Sequence, residues 1–241
     1  TSVRLRPIAS FRTDVSAGGS SCTTASLYDV VPGFEVDETS PVAPGSPYAR
    51  TKRVMEMALE EISAGTDLRA IILRYFNPVG SDPDVESGLY DCEPSHVIGQ
   101  LVLAAQGVKD AFTITGTEHP TRDGTGIRDY LHVWDLAQAH VAAVERFDQV
   151  LDAVGAPSTI INIGTGEGVT VRELLAAFER VYGGTVPTRE APPRPGDAVG
   201  AYANVDKARA VLGWGAALTL DDAIASALAW GRRRKEILGF D

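Results

Sequence analysis

"RAIILRYF", residues 69–76, is the stretch on which the fold turns. Its apolar residues run almost without interruption, the pattern of a strand buried on both faces in a parallel sheet. Asn77-Pro78 should end it, because a residue before proline is driven toward extended geometry and away from regular pairing. Upstream, a helix should begin near Pro47, a favoured first-turn residue, with Val54, Met57, Ala58 and Ile62 on its inner face. Downstream, helical patterns at about 94–107 and 134–147 flank "FTITG" (112–116), and "TIINIG" (159–164) reads as a further strand.

Two capping boxes follow. Thr170 to Glu173 matches T-x-x-E and opens a stripe of Val171, Leu174, Leu175, Phe178 and Val181; Thr219 to Asp222 is weaker, since Asp replaces Glu or Gln, and opens a last helix ending in "RRRK" (232–235). Cations at a helix C-terminus offset the macrodipole, so this run reads as a solvated helix end. Helices alternating with short strands give an α/β fold. Residues 1–20 show no period of either kind and read as an irregular segment, their Gly-Ser end replacing a strand expected there.

Composition narrows the function. The 241 residues are 44% hydrophobic with a net charge of -10, a globular chain whose field repels nucleic acid and anionic membranes. No apolar run is long enough to cross a bilayer. Cys22 and Cys92 stand apart, outside any C-x-x-C pattern, which suits a reducing compartment, the cytoplasm by default. His119, His132 and His140 lack metal-ligand spacing and read as structural.

"SPYARTK" (46–52) carries the chemistry. Tyr48 and Lys52, four apart, share one face of a helix's first turn, where an ammonium favours phenolate over phenol and makes Tyr48 a candidate general base. The spacing alone is equally compatible with an exposed surface pair.

The neighbouring motifs decide between these. With "SSCTTASLYD" upstream, "LRYFNPVG" behind, and then "HPTRDGTGIRDYLHVWDLAQAHVAA", "NIGTGEGVTVREL" and "PRPGDAVGAYANVDKARAVLGW" in order, the chain resembles the extended short-chain dehydrogenase/reductase superfamily and, within it, the UDP-glucose 4-epimerase family over about residues 21–235. The resemblance implies a UDP-hexose 4-epimerase that interconverts UDP-glucose and UDP-galactose through transient oxidation at C4 with NAD. Tyr48 would be the base, Lys52 would hold the nicotinamide ribose, and Thr24 would be the catalytic hydroxyl. Tyr75 would lie against the cofactor, although it and Phe76 fit simple packing equally well. Asn77, Arg128 and Arg194 would meet the nucleotide-sugar phosphates, and Asp197 the uridine ribose. His96 and Val97 fall at a substrate-contacting pair, and Thr115 at a position against uracil that is often aromatic. Ala201 falls where side-chain size governs tolerance of an N-acetyl group, so UDP-N-acetylhexoses are expected to fit.

A dinucleotide site of this kind is usually announced by a glycine fingerprint at the first βα turn. Gly164, Gly166 and Gly168 do not match it, and neither do Gly124 and Gly126. The expectation is therefore an incomplete Rossmann-like parallel sheet lacking the N-terminal NAD-binding half, with NAD binding and turnover both open. It divides into an irregular segment (1–20), a Rossmann remnant (21–93) and a smaller C-terminal nucleotide-sugar-binding lobe (94–241) interleaved with it. Stripped of its first strands, such a sheet exposes an edge, and either a longer parent chain or homodimerisation would cover it. The rivals are a nucleotide-sugar dehydratase, disfavoured because "CTTASLYD" lacks a T-D-E sequence, and a non-catalytic nucleotide-sugar-binding protein.

Overall fold

The computed structural model describes residues 18–91, 93–193 and 199–239. Residues 1–17, Cys92, Arg194 and Asp197 lie outside them. The expectations of an irregular start at 1–17 and of diphosphate and ribose contacts at Arg194 and Asp197 therefore fall outside the described residues.

The strand at 69–76 is β3 (Arg69–Tyr75), and it forms the middle of a three-stranded parallel sheet between β1 (Gly18–Thr24) and β8 (Ser158–Ile163). Ile71, Ile72 and Leu73 are fully buried, so both faces are covered as the apolar run requires. Residues 18–20 are strand, not irregular: β1 pairs with β3 in continuous register from Gly18↔Arg69 to Thr24↔Tyr75. Glycine has no side chain to alternate, so the backbone ladder, not periodicity, makes this segment a strand.

Between β1 and β3 the chain forms a 3₁₀ turn (Ala25–Leu27), β2 (Glu35–Val36) and helix α1 (Pro47–Gly65). Ser46 caps α1 by accepting from the Ala49 amide, and Pro47 takes the first helical position. The inner face of α1 is not the expected one. Ala49, Glu56 and Ser63 are buried, whereas Val54, Met57 and Ile62 are 64%, 50% and 48% exposed and Ala58 is exposed too. The reason lies in β3: Ile71 and Leu73 face one side of the sheet, and Arg74 faces the other, buried against α1. A guanidinium there needs a carboxylate, and rotating α1 to bury Val54 and Ile62 would leave it unpaired.

After β3 the chain does not stop pairing at Asn77-Pro78. It changes sheet, and β4 (Asn77–Val79) pairs in parallel with β7 (Tyr130–His132). Next come α2 (Val97–Ala105), β5 (Phe112–Thr115) and β6 (Ile127–Arg128); then α3 (Val133–Glu145) and α4 (Phe147–Val154) precede β8. After β8 stand β9 (Val169–Thr170), α5 (Val171–Tyr182), β10 (Thr188–Ala191), β11 (Gly200–Ala203), a π-helical turn (Ala208–Leu212) and α6 (Leu220–Leu238). Both capping boxes form, that of Asp222 included, because its shorter carboxylate still reaches the Thr219 amide at 2.8 Å. "RRRK" is not the end of α6, which continues to Leu238; Arg233 and Arg234 instead donate to the carbonyls of Asp84 and Asp91.

Two large apolar clusters result. One joins β3 and β8 to α3, α4 and the π-helical turn through Ile71, Leu73, Ile161, Ile163, Leu151 and Leu212. The other joins α2, β5, α5 and α6 around Leu101, Ile114, Phe178 and Ile224. Each fully buried Leu, Ile or Phe contributes roughly 1.5–3 kcal/mol. A small third cluster of Tyr28, Val36, Phe76, Ala203 and Val205 lies at the sheet of order β2-β11-β6-β9. No described helix is long and apolar enough to cross a membrane.

Candidate functional site

The parallel strands β1, β3 and β8 end together, since Thr24 is the register partner of Tyr75 and Tyr75 that of Ile163. Ligands in open α/β sheets bind outside the carboxyl ends of the strands. Four of the residues singled out in the sequence meet there. Tyr48, in the first turn of α1, is 51% exposed, and Lys52 Nζ lies 5.7 Å from its ring centroid. Lys52 also donates to the carbonyl of Cys22 near the end of β1, at 3.4 Å. The pair therefore belongs to the sheet edge and not to an unconnected outer face.

Thr24 closes β1 and caps the 3₁₀ turn, its hydroxyl accepting from the Ser26 amide at 3.3 Å. Tyr75 neighbours Tyr48; burial first, and then the nearby phenol, push it up to about 12, so it stays protonated at neutral pH. Phe76 packs: it is 4% exposed and stacks on Tyr28 with ring centroids 6.4 Å apart.

A second group lies on β6 and β11, where Arg128 and Ala201 are register partners. Arg128 Nη1 donates to the carbonyls of Ile127 and Val199, both at 2.7 Å. Gly200 allows this approach: its φ is +117°, and a Cβ there would collide with the Ile127 carbonyl and the Arg128 guanidinium. The link to the first group is Asp129. Its carbonyl accepts from the Asn77 amide at 2.9 Å, and its carboxylate accepts from Thr165, Gly166 and Ala203. Burial pushes this carboxyl up, and those donors pull the other way.

His96, Val97 and Thr115 lie on other elements, α2 and β5. His96 is exposed at the start of α2, Val97 packs partly buried against the α2–α6 cluster, and Thr115 ends β5 beside β10. His132 caps α3 through the Trp134 amide, and His140 Nδ1 bonds the Leu136 carbonyl. Sequence reasoning missed Glu56 and Arg74. The available signal was a charge inside "RAIILRYF", which demands a buried partner, and a glutamate one turn beyond Lys52 on the same face as Tyr48.

The Rossmann-like parallel sheet, with a tyrosine-lysine pair at its strand ends, defines an α/β protein whose ligand site lies at that edge. The chain belongs to the NAD dependent epimerase/dehydratase family, whose family model matches residues 10–164. It is 42% identical over 223 residues to the UDP-glucose 4-epimerase of Rhizobium meliloti, covering 92% of this chain and 66% of that protein. With the Bacillus subtilis UDP-glucose 4-epimerase it shares 37% identity over 86% of this chain and 60% of that protein. The chain thus spans less than two thirds of the length of these relatives. Among solved structures, UDP-glucose 4-epimerase from Bifidobacterium longum in complex with NAD+ and UDP superposes with a TM-score of 0.84 at 32% identity, over 92% of this chain and 65% of that one. The enzyme from Stenotrophomonas maltophila, with bound NAD and formylated UDP-arabinopyranose, gives 0.83 at 37% identity, over 91% and 65%.

These findings overturn one expectation. The chain was expected to lack the NAD-binding half, leaving enzymatic status and NAD binding open; the family match begins at residue 10 and runs through β1, α1 and β3 to residue 164, and structures sharing this fold over nine-tenths of the chain hold NAD. A glycine fingerprint is one local device for approaching a phosphate. Membership is carried instead by the ordered set of strand-end and helix motifs.

Proposed function

We propose that this protein is a UDP-hexose 4-epimerase that uses NAD and interconverts UDP-glucose and UDP-galactose. One observation carries the reading: Tyr48 and Lys52 converge with Thr24 and Tyr75 at the carboxyl ends of parallel strands. The residues fit NAD, because Lys52 and Tyr48 offer an ammonium and an exposed phenol at the strand ends, where they would hold a ribose diol and Tyr75 would add a further contact. When bound, NAD supplies a reversible hydride acceptor for C4 of the sugar.

The chain's own groups do the proton work. Tyr48 removes the proton of the 4-hydroxyl, Thr24 hydrogen-bonds the same oxygen, and Lys52 places positive charge beside the phenol. Asn77, Arg128 and Arg194 hold the diphosphate, for which a guanidinium fork is well shaped, and Asp197 takes the uridine ribose. With the diphosphate anchored, the 4-keto sugar is free to turn and present its other face. His96, Val97 and Thr115 complete the sugar and base contacts, and the small side chain of Ala201 leaves room for N-acetyl forms.

In this reading residues 21–93, with the start of β1 at 18–20, contribute to the cofactor domain, and 94–241 mainly to a smaller nucleotide-sugar lobe interleaved with it. The apolar outer face of α1 supports association of two copies, the net charge of -10 disfavours nucleic acid, and the isolated cysteines suit the cytoplasm. The test is to incubate the protein with NAD and UDP-galactose and resolve the products chromatographically. UDP-glucose should form, and the Tyr48→Phe variant should form at least about 100-fold less, the scale of general-base catalysis. A 4-keto-6-deoxy product would instead mark a dehydratase, and UDP binding without turnover a non-catalytic binder.

A further inference from the structure

Glu56 is wholly buried in the middle of α1, on the face that carries Tyr48 and Lys52. Its carboxylate accepts from Arg74 Nε at 2.8 Å and Nη2 at 2.7 Å, a bidentate fork, and from Thr23 Oγ1 at 2.6 Å. Arg74 continues the network by donating from Nη1 to the Tyr28 hydroxyl at 3.0 Å, with its guanidinium 5.0 Å from the ring centroid. Every member of this set adjoins a group assigned to chemistry above. Thr23 precedes Thr24, Arg74 precedes Tyr75, Tyr28 closes the 3₁₀ turn that Thr24 caps, and Glu56 lies one turn beyond Lys52.

We propose that Glu56 and Arg74 are positioning residues: their buried fork sets the rotation and axial height of α1 on β1 and β3, and so the approach of Tyr48 and Lys52 to Thr24. The inference rests on the reading of those three residues given above. The physical ground is directionality. An apolar pair of similar volume packs as well or better, since burying charges offsets most of their attraction, but it tolerates sliding and rotation of the helix. A planar guanidinium on a carboxylate fixes both coordinates. Thr23 extends the constraint to β1, so one carboxylate couples the strand of the hydroxyl to the helix of the phenol.

The experiment is the double substitution Glu56→Met with Arg74→Met, compared with the parent protein in thermal unfolding, in kcat and KM for UDP-galactose, and in amide exchange of residues 51–53. The double variant should fold, with kcat reduced about 10- to 100-fold at a KM changed by less than about threefold, the signature of misplaced groups. Exchange at 51–53 should rise about tenfold while β8 is unaffected. A folded double variant with parental kcat and parental exchange overturns the proposal. Should it fail to fold, Glu56→Gln, which keeps the shape and one acceptor oxygen, must show the same split at about fivefold or more in kcat, and parental kcat there overturns it as well. If the parent itself has no turnover, the epimerase reading fails, and exchange at 51–53 alone then decides the positioning role.

Discussion

The hydroxyl of Tyr28 donates to Asn162 Oδ1 at 2.7 Å, joining the end of the 3₁₀ turn after β1 to the far strand β8, 134 residues along the chain. It also accepts from Arg74, and Asn162 in turn donates from its amide nitrogen to the Val36 carbonyl at 3.0 Å. Replacing Tyr28 by phenylalanine keeps the stacking on Phe76 but leaves a buried carbonyl oxygen and a buried guanidinium N–H without a partner. The expected loss is about 1–3 kcal/mol, read as a lower urea midpoint at unchanged slope.

Glu56 makes stability fall with acid. Burial alone would raise its carboxyl, but the hydrogen bonds from Arg74 and Thr23 outweigh burial and hold it below the ordinary value of 4.5. A carboxyl depressed in the folded state stabilises fully above its unfolded value and loses that contribution as pH falls through the folded one. The urea midpoint should therefore drop below about pH 4.5. In the Glu56→Met/Arg74→Met variant the acid slope should be shallower, because the shifted carboxyl is gone.

Gly200→Ala tests the junction of β6 and β11. The positive φ and the collision with the Ile127 carbonyl force the strands apart, at about 1–3 kcal/mol for the backbone conformation alone. Since Arg128 lies against the same atoms, UDP affinity measured by calorimetry should fall about tenfold, the effect of a displaced charged hydrogen bond. Retained affinity would remove Arg128 from the diphosphate site.

The outer face of α1 predicts association. Val54, Met57 and Ile62 stand exposed on a helix whose opposite face is committed to Glu56. Met57→Lys with Ile62→Lys should change monomer stability by less than about 0.5 kcal/mol, as exposed sites do. The same change should shift the mass seen by light scattering from dimer to monomer. A parent protein that is already monomeric removes this face as an interface.

Much of the fold was legible in order along the chain. The apolar run at 69–76, the proline at 47, and the boxes at Thr170 and Thr219 each state a local rule that the tertiary structure did not override. The site was legible where it depends on helical spacing: Tyr48 and Lys52 had to share a face. Three features were not legible. The strand at 18–20 is made by pairing with β3, which glycine and serine do not announce. Asn77-Pro78 looked like a stop, yet it marks a change of sheet, because β7 offers a new partner. The apolar residues of α1 looked like its inner face, and they are its outer one.

By itself, then, the sequence determined the central buried strand, the main helices and which reactive side chains could be neighbours, since these follow from an unbroken apolar run and the 3.6-residue helical period. Only the tertiary structure decided which way α1 turns and what its first turn meets. The physical reason is Arg74: hydrophobic periodicity prefers one rotation of the helix, but a buried guanidinium on the adjacent strand makes the other one lower in free energy, and no local pattern in either segment reports on the distance between them.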